Sequence, residues 1–202
     1  MKKFFLSLIL ALVIAAFFSC TAVMKKIYGI KKPSIESPQS LKEDALGFGF
    51  DTTYILTSSA DKFLDNFHGK GIPDIDVFDS NGNYIEYRDT DTSCNAGLFK
   101  FIPELNTNKV YNKTGKKKLD DELSKFVDLY GKPHQIEKDA DFYLMVYWAT
   151  WTGRLNKDHV AEWEKLVREN KNCKIKYIKV NLDMQTHWPM EEQKRIKKIL
   201  RS

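Results

Sequence analysis

Residues 142–155 read FYLMVYWATWTGRL, an apolar run that ends in Trp, Thr and Gly and leads into a helical pattern. An apolar run without polar alternation is typical of a strand that is buried on both faces, in the middle of a parallel or mixed sheet. The sequence therefore predicts an α/β fold with this strand at its centre. Open α/β sheets bind ligands beyond the carboxyl ends of their strands, so the turn that follows is the first candidate site.

The turn and its surroundings resemble a known unit. Residues 147–155 (YWATWTGRL), the amphipathic helix after them and residues 176–183 (KYIKVNLD) are similar to the central β-α-β unit of the thioredoxin-like superfamily. The resemblance covers about a fifth of the chain. It implies a thioredoxin-like mixed sheet flanked by helices.

In that superfamily the turn reads Trp-Cys-x-x-Cys, and the two cysteines are the redox centre. Here Thr152 and Leu155 occupy the cysteine positions, after Trp151 and around Gly153 and Arg154. Disulfide exchange requires a thiolate, whereas a threonine hydroxyl does not ionise at neutral pH without a partnered base. The degenerate turn, residues 151–155, is therefore predicted to carry no catalytic residue and to have kept the scaffold without its redox activity.

A second segment resembles the same superfamily. Residues 71–78 (GIPDIDVF) and 84–87 (YIEY) flank an Asn81-Gly82 pair, which is a strong hairpin signal. The superfamily has a similar hairpin carrying a cis-proline beside the redox site, so the resemblance implies a cis Ile72–Pro73 bond and a groove between Pro73 and the degenerate turn.

The position of this hairpin along the chain departs from the family's order, in which it follows the β-α-β unit; here it precedes the central strand. The units could be permuted around one sheet, the hairpin could be a separate addition, or one match could be accidental. We expect a single sheet with a permuted strand order. Asp74, Asp76 and Asp79 could hold a cation weakly, but a solvated edge strand protected by charge is the favoured interpretation.

The start of the chain has the layout of a secretory signal: Met-Lys-Lys, an apolar stretch over residues 4–18, and Ser19 before Cys20. We predict a signal peptide over residues 1–19. Its end resembles a bacterial lipoprotein signal, which implies that Cys20 is acylated and anchors the protein to a membrane without spanning it. An ordinary secretory cut, with Cys20 incidental, is the alternative. Because no Asp follows Cys20, the family's sorting rule favours the outer membrane of a Gram-negative cell, on its periplasmic or surface face.

Removal of residues 1–19 would leave 30 basic residues against 27 acidic ones, a net charge of +3. This charge is too small to indicate nucleic acid binding. Residues 20–46 contain prolines, serines and five lysines, so we expect the lipidated cysteine and a flexible tether there, and one thioredoxin-like domain over residues 47–202. The tether lysines and the basic C-terminal helix could each contact anionic lipid head groups, but we expect both segments to be solvated.

Two further segments have clear residue patterns. Residues 106–118 are polar and predict a loop, and residues 119–130 predict one amphipathic helix, whose apolar face consists of Leu119, Leu123, Phe126, Val127 and Tyr130. The four histidines stand far apart and no Cys-x-x-Cys occurs, so the sequence predicts neither a metal site nor a cofactor.

Two cysteines remain besides Cys20. Cys94 precedes a helical pattern, and a thiol in the first turn of a helix has a lowered pKa, which makes Cys94 the one candidate for a relocated reactive thiol. A buried, inert Cys94 or a disulfide with Cys173 is the favoured alternative. Cys173 is expected to be structural.

Two classes of function follow from these observations. The favoured one is a lipid-anchored envelope protein with a redox-inactive thioredoxin-like fold, which binds an envelope protein or peptide or serves as a scaffold. In the family, the groove beside the cis-proline receives extended peptide by strand addition. The alternative is a thiol-disulfide oxidoreductase that uses Cys94.

Overall fold

The structure is a computed structural model that describes residue 23 and residues 25–68, 71–88 and 95–200. The predicted signal peptide, Cys20 and Cys94 lie outside these residues.

Strands and helices alternate along the described chain. The strands are β1 (Ile35–Glu36), β2 (Ile55–Ser58), β3 (Asp74–Asp79), β4 (Asn83–Ile85), β5 (Lys113–Lys118), β6 (Phe126–Asp128), β7 (Phe142–Trp148), β8 (Ile175–Asn181) and β9 (Met184–Gln185). The α-helices are α1 (Pro38–Phe48), α2 (Phe63–Phe67), α3 (Leu98–Glu104), α4 (Leu119–Leu123), α5 (Glu162–Glu169) and α6 (Met190–Ile199). Short 3-10 helices cover Asn95–Gly97 and Thr150–Thr152, and a π-helical segment, Asn156–Ala161, leads into α5.

A seven-stranded mixed sheet organises the fold, in the order β5-β4-β3-β7-β8-β2-β6. Strands β7, β8 and β2 are parallel to one another, while β3, β4, β5 and β6 are each antiparallel to their neighbours. The β3–β4 hairpin pairs with β7 on the side opposite β8. The prediction of a single sheet with a permuted order is therefore confirmed, and the arrangement is consistent with a thioredoxin-like α/β fold.

Strand β7 is buried along its whole length, as predicted. Its side chains alternate between two hydrophobic clusters, because successive residues of a strand point to opposite faces of the sheet. Leu144, Val146 and Trp148 join one cluster, and Met145 and Tyr147 join the other.

The two faces of the sheet have different covers. On the first face, α1, α3 and α5 contribute buried side chains that include Leu41, Ile102 and Trp163. On the second face, α4 contributes Leu119 and Leu123. A third, smaller cluster joins α2 and α6 to β9; its buried members are Phe63, Met184, Trp188 and Ile196.

Helix α1 corrects the predicted tether over residues 20–46. Ser37 caps the helix reciprocally with Ser40, Pro38 occupies its first turn, and Leu41 and Ala45 are fully buried against the sheet. The folded domain therefore begins well before the predicted boundary at Gly47, which lies inside α1. Three of the residues that suggested a linker, Ser37, Pro38 and Ser40, form the start of this helix.

The predicted helix over residues 119–130 is also wrong beyond its first five residues. Helix α4 ends at Leu123, and Phe126–Asp128 form β6, which pairs antiparallel with β2. The hydrogen bonds offered by the open edge of β2 outweigh the helical spacing of the apolar residues. In the predicted loop before α4, Lys113–Lys118 form β5 and pair with β4.

Strand β3 is not a solvated edge, because it lies between β4 and β7. Asp76 is 2% exposed. Its carboxylate accepts a hydrogen bond from the Tyr147 hydroxyl at 2.8 Å and pairs with the Lys117 amino group at 2.6 Å. The charge that suggested an exposed strand is thus paired inside the protein.

Candidate functional site

The degenerate turn begins where β7 ends and is held by backbone hydrogen bonds. Residues Thr150–Thr152 form one 3-10 turn, in which the Thr152 amide donates to the Ala149 carbonyl at 3.1 Å. Gly153 then takes φ 60° and ψ −128°, a conformation that L side chains rarely adopt. The chain continues directly into the π-helical segment, so the turn sits at the carboxyl end of the central strand, as predicted.

Thr152, at the first cysteine position of the resemblance, is only 1% exposed. Its hydroxyl lies 2.8 Å from the Ala149 carbonyl oxygen and 3.0 Å from the side-chain oxygen of Asn156. The Asn156 side-chain amide donates to the same Ala149 carbonyl at 2.8 Å. A backbone carbonyl oxygen and a side-chain amide oxygen accept hydrogen bonds but are too weakly basic to remove a proton. These contacts therefore hold the turn in place and do not activate the Thr152 hydroxyl.

A buried carboxylate lies next to the turn. Asp183 is fully buried just after β8 and accepts hydrogen bonds from the Thr150 amide at 2.7 Å, the Thr150 hydroxyl at 3.0 Å and the Asn181 side chain at 2.8 Å. Burial raises the pKa of Asp183 to about 7, against the opposing effect of these hydrogen bonds. The Gln185 side-chain amide donates to the Asn181 side-chain oxygen at 3.1 Å and completes the cluster.

The sequence analysis missed Asn156, which holds the turn, and the separate polar cluster of Asn181, Asp183 and Gln185. The signal that could have found it is the alternation of Asn, Asp and Gln at positions 181, 183 and 185, directly after an apolar strand. Alternate residues point to one face, and this face meets the turn. The cluster ties the end of β8 to the end of β7.

The described N-terminal segment, residues 25–33, lies against the degenerate turn. The Lys31 amide donates to the Trp151 carbonyl at 2.8 Å. At Gly153, a Cβ atom would collide with the Tyr28 carbonyl oxygen and lie 2.6 Å from that of Gly29. The segment then leads into β1, which pairs with β9 just beyond Asp183. The surface of the turn is thus partly covered by the chain's own backbone.

The hairpin brings Pro73 to the same edge of the sheet as the turn. Asp74 is paired with Tyr147 in the sheet register, one residue before the end of β7. The Ile72–Pro73 bond is cis, as the resemblance implied. Pro73 is buried, Ile72 is half-buried, and the Pro73 carbonyl accepts a hydrogen bond from the Asn95 side chain at 2.7 Å.

Among the described residues, no cysteine supplies a thiolate at the edge of the sheet that carries the degenerate turn. Cys173 carries a free thiol that donates to the Leu105 carbonyl at 3.3 Å. Burial, reinforced by Asp141, raises its pKa to about 11, so Cys173 is a structural thiol, as expected. Cys94 lies outside the described residues; its neighbour in sequence, Asn95, is the residue that binds the Pro73 carbonyl.

A buried ion pair lies under the first face of the sheet, and our reading of the sequence did not anticipate it. Lys179, in the middle of β8, is 1% exposed; its amino group lies 2.8 Å from the Glu164 carboxylate and 2.6 Å from that of Asp51. Partial burial alone would raise the pKa of Asp51, but hydrogen bonds from Lys179 and Thr53 outweigh it and lower the pKa to about 2. The group joins β8 to α5 and to the loop before β2.

A cavity of about 530 Å³ opens beyond the carboxyl end of β2, beside α6. Ser59, Gly131, His187 and Trp188 contribute to its lining. Gly131 and His187 are in close contact, since a Cβ atom at Gly131 would lie 2.7 Å from the imidazole ring. Partial burial lowers the pKa of His187, which favours the neutral form of its imidazole.

Among the described residues, no three His, Cys, Asp or Glu side chains converge as metal ligands. Within the same part of the chain, no helix has the length and apolar character needed to cross a bilayer.

No protein-family model matches the chain, and comparison with characterised proteins and with solved structures gives no significant match. The likeness to the thioredoxin-like fold therefore rests on the strand order and on the degenerate turn.

Proposed function

We propose that this protein is a lipid-anchored component of the cell envelope whose thioredoxin-like domain binds a protein or peptide, or serves as a scaffold, without redox chemistry. The anchor would be a lipid on Cys20, and the outer membrane of a Gram-negative cell is the proposed location. The observation that best supports the absence of redox chemistry is the environment of the Thr152 hydroxyl. Its buried hydroxyl is engaged with a carbonyl and an amide oxygen, and Leu155 at the second cysteine position has no group that could exchange a disulfide.

The chain's own contacts support a binding role for the turn. The Lys31 amide donates to the Trp151 carbonyl, which is the kind of main-chain contact that an added strand makes with its receptor. The Trp151 indole N–H is buried and has no hydrogen-bond partner among the described residues. This unused donor suits recognition of an extended peptide between Trp151 and Ile72 once the N-terminal segment that covers the turn is displaced.

The anchor is tested by fractionation of cells that produce the full chain. We expect the parent protein to stay in the membrane fraction through a high-salt wash and to incorporate labelled fatty acid, and Cys20→Ala to lose both. Membrane retention of the Cys20→Ala variant with no fatty acid in the parent would contradict the anchor.

Binding at the turn is tested by placing a photo-crosslinking residue at Arg154, whose side chain is 65% exposed, with Lys165 on α5 as the control at 56% exposed. A discrete adduct from position 154 and none from position 165 is expected. The adduct must also persist in Cys94→Ser and Cys173→Ser variants. Equal adducts at both positions, or loss of the adduct in the serine variants, would count against binding at the turn.

The alternative function, a thiol-disulfide oxidoreductase that uses Cys94, draws on one contact. Asn95, next to Cys94 in the chain, donates to the Pro73 carbonyl beside the degenerate turn. This reading requires Cys94 to have a lowered pKa, which thiol alkylation measures directly.

A further inference from the structure

Two basic segments that are 165 residues apart in the chain meet on one face of the protein. Lys32, in the N-terminal segment, and Lys197, near the end of α6, line the same cavity of about 430 Å³. Pro33, Met184 and Leu200 form the apolar part of its lining. The lysines of either segment alone are weak evidence for membrane contact. The fold brings the two segments together, which concentrates their positive charge on one face.

The lysines of this face differ from the other basic residues of α6 in their partners. Lys194 and Arg195 each pair with a glutamate one turn earlier, at 3.0 and 2.6 Å. Lys32, Lys197 and Lys198 are exposed, and no carboxylate of the described chain lies within 4 Å of their amino groups. Unpaired lysines leave a local positive charge that attracts anionic surfaces.

The route of the chain places this face near the proposed anchor. Cys20 is five residues before Lys25, a separation of at most about 18 Å in a fully extended chain. The segment that begins there is fixed to the domain by the Lys31–Trp151 hydrogen bond and by β1. Lys25 and Lys26 add exposed positive charge between the anchor and the domain, beside Ile27, which is 56% exposed.

We propose that the surface around Lys32 and Lys197, the basic face, lies against a membrane leaflet that contains anionic phospholipid. This inference rests on the proposed lipid anchor, which brings the chain to a bilayer, and it adds the orientation of the domain. With the basic face on the leaflet, the degenerate turn, held to the same N-terminal segment, lies close to the membrane surface. Its binding partner is then a protein or peptide exposed at that surface.

The test uses the chain from Thr21 onward, without lipid, since all three hydrophobic clusters lie within residues that this chain retains. Co-sedimentation is measured with vesicles containing phosphatidylglycerol and with vesicles of phosphatidylcholine alone, at low and high salt. Binding to the first vesicles only, and its loss at high salt, is expected. Each lysine near an anionic surface strengthens binding about fivefold, so Lys32→Gln with Lys197→Gln should weaken it about 30-fold.

The control is Lys109→Gln with Lys165→Gln, which removes the same charge from exposed positions that have carboxylate partners. It should leave vesicle binding within about twofold of the parent, because an exposed ion pair offers little free charge. Equal binding to both vesicle types, or equal weakening by the two double variants, overturns the proposal and leaves an acidic protein as the occupant of this face. Because the tested chain carries no lipid, this result is independent of whether Cys20 is acylated.

Discussion

The contact between the N-terminal segment and the degenerate turn makes Gly153→Ala the most informative single substitution. Gly153 has φ 60° and ψ −128°, and its missing side chain is the space into which the Tyr28 and Gly29 carbonyl groups fit. Both obstacles are backbone atoms, so no side-chain rotation relieves the collision. The segment can accommodate alanine only by leaving the turn.

The cost can be worked from these features. A non-glycine residue in this backbone region costs about 1 to 3 kcal/mol. Displacing the segment also gives up the Lys31–Trp151 hydrogen bond, worth about 1 kcal/mol net. We expect Gly153→Ala to lower the free energy of unfolding by about 2 to 4 kcal/mol.

Urea denaturation measures the change in stability, and hydrogen exchange of the Lys31 amide measures the displacement. Gly47→Ala is the matched control, because Gly47 lies in α1 without a left-handed φ and nothing lies within 4 Å of its added Cβ. It should raise stability by about 0.5 to 1 kcal/mol. If Gly153→Ala has the parent's stability and the Lys31 amide stays protected, the segment does not dock on the turn as described.

Two further substitutions test buried charges. Burial raises the pKa of Asp183 to about 7, above its ordinary 3.8, so the folded protein keeps a proton that the unfolded chain has lost between these values. Stability should therefore fall as the pH rises from about 4 to 7. The Asp183→Asn side chain can donate to the Thr150 hydroxyl and does not titrate. In urea denaturation, the stability of this variant relative to the parent should therefore increase as the pH rises from about 4 to 7. A constant stability difference across this range would contradict the raised pKa of Asp183. Lys179→Met removes the buried partner of the Glu164 carboxylate, which keeps only the half-exposed Arg168 at 3.0 Å, and should cost about 3 kcal/mol, whereas Lys165→Met at an exposed site should change stability by less than about 1 kcal/mol. Equal thermal shifts in these two variants would argue against a buried pair.

The central strand and the hairpin were predictable because their signals are local. An unbroken apolar run fixes a strand buried on both faces, and Asn81-Gly82 supplies the positive φ that a tight turn needs, at Gly82. The sequence analysis expected the hairpin in the same sheet as β7, which the structure confirms; that it pairs directly with β7 is a finding of the structure.

Helix α1 and strand β6 could not be predicted from local pattern. Helix α1 buries only Leu41 and Ala45, so it has no strong apolar stripe, and its capping residues also occur in linkers. Residues 126–128 have helical spacing and become a strand because β2 offers them an open edge. In both cases the tertiary contact decides the local structure.

The sequence predicted the position of the candidate site but not the residues that hold it in place. Thr152 and Leu155 were found because a motif marks their positions. The partners that hold the turn come from separate segments: Asn156 from the following helix, Asp183 from beyond β8 and Lys31 from the N-terminal segment. Only the sheet topology brings these three segments together.

The proposal of a thioredoxin-like domain without thiol chemistry depends on Cys94 having no reactive thiolate. The measurement that tests it is the alkylation rate of Cys94 as a function of pH, in the chain from Thr21 onward. Intact mass records which thiols react, and the pKa of Cys173 near 11 keeps its reaction apart from that of Cys94. We expect Cys94 to be either unreactive or alkylated as an ordinary thiol with a pKa of about 8.5. Rapid alkylation near pH 6 would contradict it and would favour an oxidoreductase that uses Cys94.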